Sequence, residues 1–332
     1  MDNSLAHLIF SILNKRVICT LVVLLIGLQI GSHIDSATAK SINGFTVDDA
    51  IIPVKEILSG GPPRDGIPAL TEPKFQTVDE TNFMAPDDRV IGLILNGAAK
   101  AYPVKILNHH ELVNDQIGRD HFVVSYCPLC GTGMVFSTNA GQDNWLIFGV
   151  SGLLYNSDVL LYDRNTESLW SQIMGQSVSG RLKGIKLVQI PAFHTTYADW
   201  VDQYPDTTIL SNDTGFKRNY ERSPYKGYVR TKRLMFKVSN KAPDDFHPKE
   251  QVLGIEVNGH FKAYPFVELG KYGKNRFVDT IADQEIVIIW NKNSRSAYVE
   301  NLEAETLPSI IGYWFAWFTF HPETDVFISA EH

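Results

Sequence analysis

The sequence predicts a mainly β, β-rich α+β fold with short helices, and three observations carry that expectation. Short runs of β-branched and aromatic residues recur, such as Phe122-Val-Val-Ser-Tyr126 and Ile286-Val-Ile-Ile-Trp290. Asn96-Gly97 and Asn258-Gly259 each sit between two such runs, the strongest short-range hairpin signal. The chain also echoes itself. Val90-Ile-Gly-Leu-Ile-Leu-Asn-Gly-Ala-Ala-Lys-Ala-Tyr-Pro103 is answered by Val252-Leu-Gly-Ile-Glu-Val-Asn-Gly-His-Phe-Lys-Ala-Tyr-Pro265. Further on, Trp200-x-x-x-Tyr-Pro-Asp-Thr207 is answered by Trp317-x-x-x-His-Pro-Glu-Thr324. Two echoes in one order read as two unequal copies of one unit, residues 90–210 and 252–327, packed as a single globular body.

At the N-terminus, Lys15 and Arg16 precede an apolar run from Val17 to Gly31, and Ala37-Thr38-Ala39 follows as a small-x-small site. That order reads as a secretory signal peptide over residues 1–39. The run falls short of the ~20 residues of a spanning helix; an uncleaved N-terminal segment is the alternative, and the sole membrane contact expected. Either way the body is expected outside the cytoplasm, periplasmic or secreted. Residues 40–89 read as an N-terminal segment with a Pro- and Gly-rich linker at Gly60 to Pro68, leading into a domain over residues 90–330. The 332 residues carry a net charge of -7 and no basic run, so nucleic acid is not expected as a partner.

Of three cysteines, Cys19 falls inside the signal, leaving Cys127 and Cys130 alone in the exported body. Oxidising compartments favour disulfides as staples. A bond across two intervening residues, however, closes a tiny loop, where chain-entropy stabilisation is smallest. Comparing the copies sharpens this. Where the first has Cys-Pro-Leu-Cys-Gly-Thr-Gly before Met134, the second has Asn-Lys-Asn-Ser-Arg-Ser before Ala297. A scaffold that folds around a plain polar turn does not need the cysteines for folding. The segment after Pro103, a short helix begun by that proline, carries His109, His110 and Glu111, and the second copy lacks them. A second short helix is expected around Thr195 to Gln203.

Three chemistries fit the cysteine turn. As a redox pair, Cys127 would be the nucleophile and Cys130 the resolving thiol, with His110 as base and Glu111 orienting its imidazole. Thioredoxin-type motifs open a helix, whereas Gly131-Thr-Gly133 leads into another strand. As a metal site, Cys-Pro-x-Cys-Gly between strands resembles a zinc-ribbon knuckle. No second knuckle exists, so a closed site would need His109, His110 or His121, or a partner chain. A site of Cys127, Cys130 and His110 with an open position would hold zinc or copper for catalysis or copper handling. The third reading is an inert disulfide. Of the two histidines, neighbours on a helix face different ways, so one is expected to be a plain surface residue.

The first copy is longer by an insertion over roughly Phe148 to Ile190. Its front half is dense in polar and aromatic groups: Ser151, Asn156, Asp158, Asp163, Arg164, Trp170 and Gln172. Together with Tyr126 these are candidates for holding a substrate, the insertion forming a wall over the cysteine turn. Plain turn chemistry is the competing explanation, because Asn-Ser-Asp and Asp-Arg-Asn-Thr are good turn formers.

The run from Ala101-Tyr-Pro through Leu107-Asn-His-His-Glu-Leu-Val-Asn-Asp115, Tyr126-Cys-Pro-Leu-Cys-Gly-Thr132, Phe148-Gly-Val-Ser-Gly-Leu-Leu-Tyr-Asn-Ser-Asp158, Leu161-Tyr-Asp-Arg164 and Ser168-Leu-Trp-Ser-Gln172 resembles the DUF3179 family. The resemblance covers most of residues 45 to 330. It implies a largely secreted prokaryotic protein whose pattern centres on His110-Glu111, Cys127 to Gly131 and Gly149 to Gly152. His109 departs from the aromatic residue more usual there. Selenocysteine-containing relatives in this family imply redox chemistry. The leading expectation is therefore an extracytoplasmic thiol–disulfide oxidoreductase that needs no cofactor and works with a redox partner or small-molecule substrate. A metal-binding or metal-delivery protein is the alternative, and a non-catalytic ligand-binding module the third.

Overall fold

Strand pairing starts from the two Asn-Gly turns. In the computed structural model, which describes residues 40–141 and 145–331, β1 (Arg89–Leu95) and β2 (Ala98–Pro103) form the first hairpin, with Asn96 at φ 53° and Gly97 at φ 77°. Pro103 then caps helix α1 (Val104–His110), as proline's fixed φ favours. A meander follows: β3 (Leu112–Ile117), β4 (Asp120–Cys127) and β5 (Thr132–Ser137), all antiparallel. The cysteine turn joins β4 to β5. The expected signal peptide lies outside the described residues.

The insertion builds a sheet of its own from β6 (Phe148–Tyr155), β7 (Asp158–Asp163), β8 (Leu169–Ser171) and β9 (Gln176–Ser179). The short strand Ile57–Ser59 adds to its other edge. The Pro- and Gly-rich linker at Gly60 to Pro68 is bonded to this sheet. The Gly60 and Asp65 amides donate to the Gly152 and Val150 carbonyls at 2.8 Å each, and Asp65 pairs with Arg164 at 2.7 Å. Backbone groups this close to a strand edge bond to it rather than to water.

The first half closes with β10 (Phe193–Thr196), α2 (Tyr197–Gln203) and β11 (Thr208–Leu210). The expected helix at Thr195 is shorter at its start, because Thr195 pairs with Val90 in the sheet and Thr196 caps the helix through the Asp199 amide. The second half runs β12 (Gln251–Val257), β13 (His260–Pro265), α3 (Phe266–Tyr272), β14 (Arg276–Ile281), β15 (Gln284–Asn291), β16 (Ser296–Glu300), β17 (Ile310–Tyr313), α4 (Trp314–Phe320) and β18 (Asp325–Val326). Helices α3 and α4 were not expected from sequence.

The two halves pair their strands alike. β10 lies antiparallel on β1 and β11 parallel to β2; β17 lies antiparallel on β12 and β18 parallel to β13. Trp200 donates to Thr207 and Trp317 to Thr324, both at 2.9 Å. Each indole sits where a Cβ on Gly92 or Gly254 would stand 2.3 Å or less from its ring. Those glycines leave room for the tryptophans.

The halves also interlock. β17 of the second half bonds to β5 of the first, joining the meander β3-β4-β5 to the hairpin β12-β13 in one sheet. In the other direction, Arg89 donates to the Ser294 carbonyl and Asn291 to Asp199 at 2.9 Å. The cysteine turn thus lies against the second half: the Tyr313 amide donates to the Cys130 carbonyl at 2.7 Å. Among the described residues, no helix is long and apolar enough to cross a membrane.

Candidate functional site

Cys127 ends β4 and Cys130 precedes β5, in a turn closed by the Cys130 amide donating to the Cys127 carbonyl at 3.2 Å. Gly131 leaves the turn at φ 64°, and a Cβ there would lie 2.7 Å from the Tyr313 ring. Glycine alone meets both demands without strain. The thiols are unbridged and buried, and they sit within one apolar cluster with Leu129, Tyr228 and Tyr313.

The turn between β6 and β7 faces them. Asn156 and Ser157 both take positive φ, which swings the Ser157 carbonyl and the Asp158 side chain toward the sulfurs. The Ser157 carbonyl accepts from Cys130 at 3.3 Å and from Cys127 at 3.8 Å. An Asp158 carboxylate oxygen and both sulfurs lie within 4.8 Å of one another. Asp158 is held from behind by the Ile173 amide at 3.1 Å and, at 3.5 Å, the Thr132 hydroxyl. Burial pushes its carboxyl up to about 7, against those hydrogen bonds, and raises both thiols above the ordinary range. Desolvation disfavours every ionised form in this cluster.

His110 does not join the thiols, which corrects its expected place as base or ligand. Its Nδ1 donates to the Pro68 carbonyl at 2.8 Å, leaving Nε2 to accept from the Tyr220 hydroxyl at 2.7 Å. Burial pushes the imidazole down to about 4, so it stays neutral. Glu111 does not orient it. Residue 111 turns to φ 58° to end α1, its amide on Leu107 and its carbonyl on the Tyr126 amide. Glu111 is 7% exposed and lines a separate cavity, and burial pushes its carboxyl up to about 8.

The other candidates divide. Gln172 links to the site from behind, accepting from Thr132 at 2.7 Å and donating to Ser125 at 2.9 Å. Tyr126 is buried beside Cys127, its phenol raised by burial. Asn156 accepts from the Ser239 amide and hydroxyl at 2.8 and 2.7 Å. Ser151 donates to the Leu160 carbonyl, and Asp163 accepts from the Thr166 amide and the Trp170 indole at 2.6 and 2.9 Å. Arg164 holds Asp65. These four, Ser151, Asp163, Trp170 and Arg164, have their polar atoms engaged within the scaffold, as the turn-former reading holds.

Two contributors carried no sequence signal. One is the Ser157 carbonyl, a backbone atom. The other is the irregular connector at residues 211–250, which lays Tyr225, Tyr228 and Phe236 over the cysteine turn. It is fastened by Ser239 on Asn156 and by buried Lys249, whose ammonium donates to the Thr231 and Arg233 carbonyls and lies 4.0 Å over the Tyr228 ring.

Fold and site together define a mainly β protein with a buried dithiol–carboxylate centre at a hairpin turn. The chain belongs to the DUF3179 family: the model of that family, described as a protein of unknown function, matches residues 64–306. No curated protein and no solved structure matches the chain.

Proposed function

We propose that this is an extracytoplasmic metal-binding protein in which Cys127, Cys130 and Asp158 hold a thiophilic divalent cation. The observation that carries the reading is the three ligating atoms within 4.8 Å, all buried, two of them on a knuckle-like turn and the third on the hairpin that faces it. Three buried acids deprotonate only at a large desolvation cost, and a divalent cation among them offsets it. Two sulfurs select for soft and borderline ions. The carboxylate, with the Ser157 carbonyl as a fourth ligand, favours zinc over copper(I). His110 is left out of the ligand set, its two nitrogens being occupied. The N-terminal signal supports the location, and a bound cation would keep two neighbouring thiols from oxidising there.

A thiol–disulfide oxidoreductase is the second reading, favoured by one observation: the sulfurs are unbridged and within 4.8 Å of each other. In that reaction Cys127 attacks a substrate disulfide and releases one thiol. Cys130 then displaces the second, so that two protein thiols become a disulfide and the substrate takes up two electrons and two protons. Asp158 would accept the attacking thiol's proton. Its partner would be small, since both thiols lie beneath the connector.

Metal analysis of untagged protein tests both. The expected result is one zinc per chain, lost in Cys127→Ser and Asp158→Asn and retained in His110→Ala. Metal-free protein with a reversibly reducible Cys127–Cys130 bond sinks the metal reading and leaves the redox one.

A further inference from the structure

Beside the thiols, and not formed by them, lies a cavity of about 170 Å³. Its walls are mostly apolar, with Ile67, Leu129, Val150, Leu154 and Phe236, and the Tyr225 phenol also lines it. That volume is close to the ~150 Å³ apolar cavity that accepts a benzene-sized guest. Glu111 supplies its carboxyl. No described residue donates a hydrogen bond to that carboxyl, though Glu111 as a whole is only 7% exposed. The positive φ at residue 111, with both its backbone groups bonded, fixes the side chain on this side of α1. A donor on a ligand would give this carboxyl the partner that the chain does not supply.

The charge of the surroundings selects the ligand. No lysine, arginine or histidine lines the cavity; its other ionisable lining group is the Tyr225 phenol, and Asp158, also acidic, acts on Glu111 from nearby. An anion finds no cationic partner here. A hard metal ion needs several oxygens, and one carboxylate among aliphatic walls does not provide them. What fits is a carbon body of benzene size ending in one cationic nitrogen. Access is from the connector side, where Met235 lines the cavity and is 55% exposed.

We propose that this cavity is a binding site for a small apolar monoamine, with Glu111 pairing its ammonium group and the aliphatic walls enclosing its body. The site is independent of the metal reading, since neither sulfur takes part.

Calorimetric titration of the full chain with benzylamine at neutral pH tests it, with benzyl alcohol and hexanoate as controls. Benzylamine is expected to bind at least tenfold tighter than benzyl alcohol, and hexanoate not at all. Glu111→Gln should erase that tenfold preference, the scale of one charge-assisted bond, while leaving benzyl alcohol unchanged. Leu154→Phe should narrow the cavity and weaken both. Near-UV circular dichroism confirms that each variant is folded. Cys127→Ser should bind benzylamine as the parent does, whatever its metal content. The proposal is overturned by absent amine binding at millimolar concentration, by equal binding in folded Glu111→Gln, by hexanoate matching the amine, or by loss of amine binding in folded Cys127→Ser.

Discussion

Glu111 takes its left-handed conformation to end α1, and the same turn delivers a carboxyl into an apolar space. That placement has a pH signature. Its folded-state value is raised to about 8, chiefly by burial. In the unfolded chain it ionises near the ordinary carboxylate value. The folded state therefore binds the proton more tightly, and the stability it contributes is full below about pH 4 and lost as pH rises toward 8. Glu111→Gln, a neutral near-isostere, has no proton to lose. The variant should match the parent in urea unfolding at pH 4.5 and exceed it at pH 8 by on the order of 2–4 kcal/mol. Equal midpoints at both pH values would show that the carboxyl is not held neutral. At this scale the sequence was partly legible. The cysteines stood out because nothing else in the body shares their chemistry. His110 stood out equally, yet its position is set by Pro68 and Tyr220, neither of which its own neighbours announce.

The β6–β7 turn and the connector act as a pair of elements. Two consecutive positive φ values at Asn156 and Ser157 form the turn, and Asn156 uses its side-chain oxygen to hold Ser239. The Ser157 hydroxyl donates to the Phe236 carbonyl at 3.0 Å. With so little regular structure, the connector depends on these bonds and on its buried aromatic residues. Asn156→Ala should cost about 1–2 kcal/mol, the scale of two lost hydrogen bonds. It should also speed amide hydrogen exchange over residues 234–240, with β12 unchanged. Unaltered exchange across the connector would mean that its aromatic residues alone hold it down. The insertion was visible in the sequence as a difference between copies, and its polar residues as turn formers. That Asp158 faces the thiols follows from where β6 and β7 pack, which no local pattern states.

Across the whole molecule, the interlocking of the halves has a consequence for folding. β5 finds a neighbour in β17, and the Tyr313 ring fills the space that Gly131 leaves. A chain ending at residue 250 would leave that edge of β5 and the cysteine turn open, with no β17 to bond the Cys130 carbonyl. Residues 40–250 alone should therefore show no cooperative unfolding and no near-UV signal, although they hold every proposed metal ligand. A cooperative transition in that fragment would refute the interlocked arrangement as a requirement for folding.

The mainly β class, the two Asn-Gly hairpins and the helix after Pro103 all rest on local patterns, and the sequence determined them by itself. It also singled out Cys127 and Cys130 as a pair. Tertiary structure alone decided the rest: that Asp158 and the Ser157 carbonyl complete the thiol cluster, that His110 is sequestered elsewhere, and that Glu111 faces an apolar cavity. Turn and strand preferences act over a few residues, whereas these partnerships depend on how separate sheets and a long connector pack together.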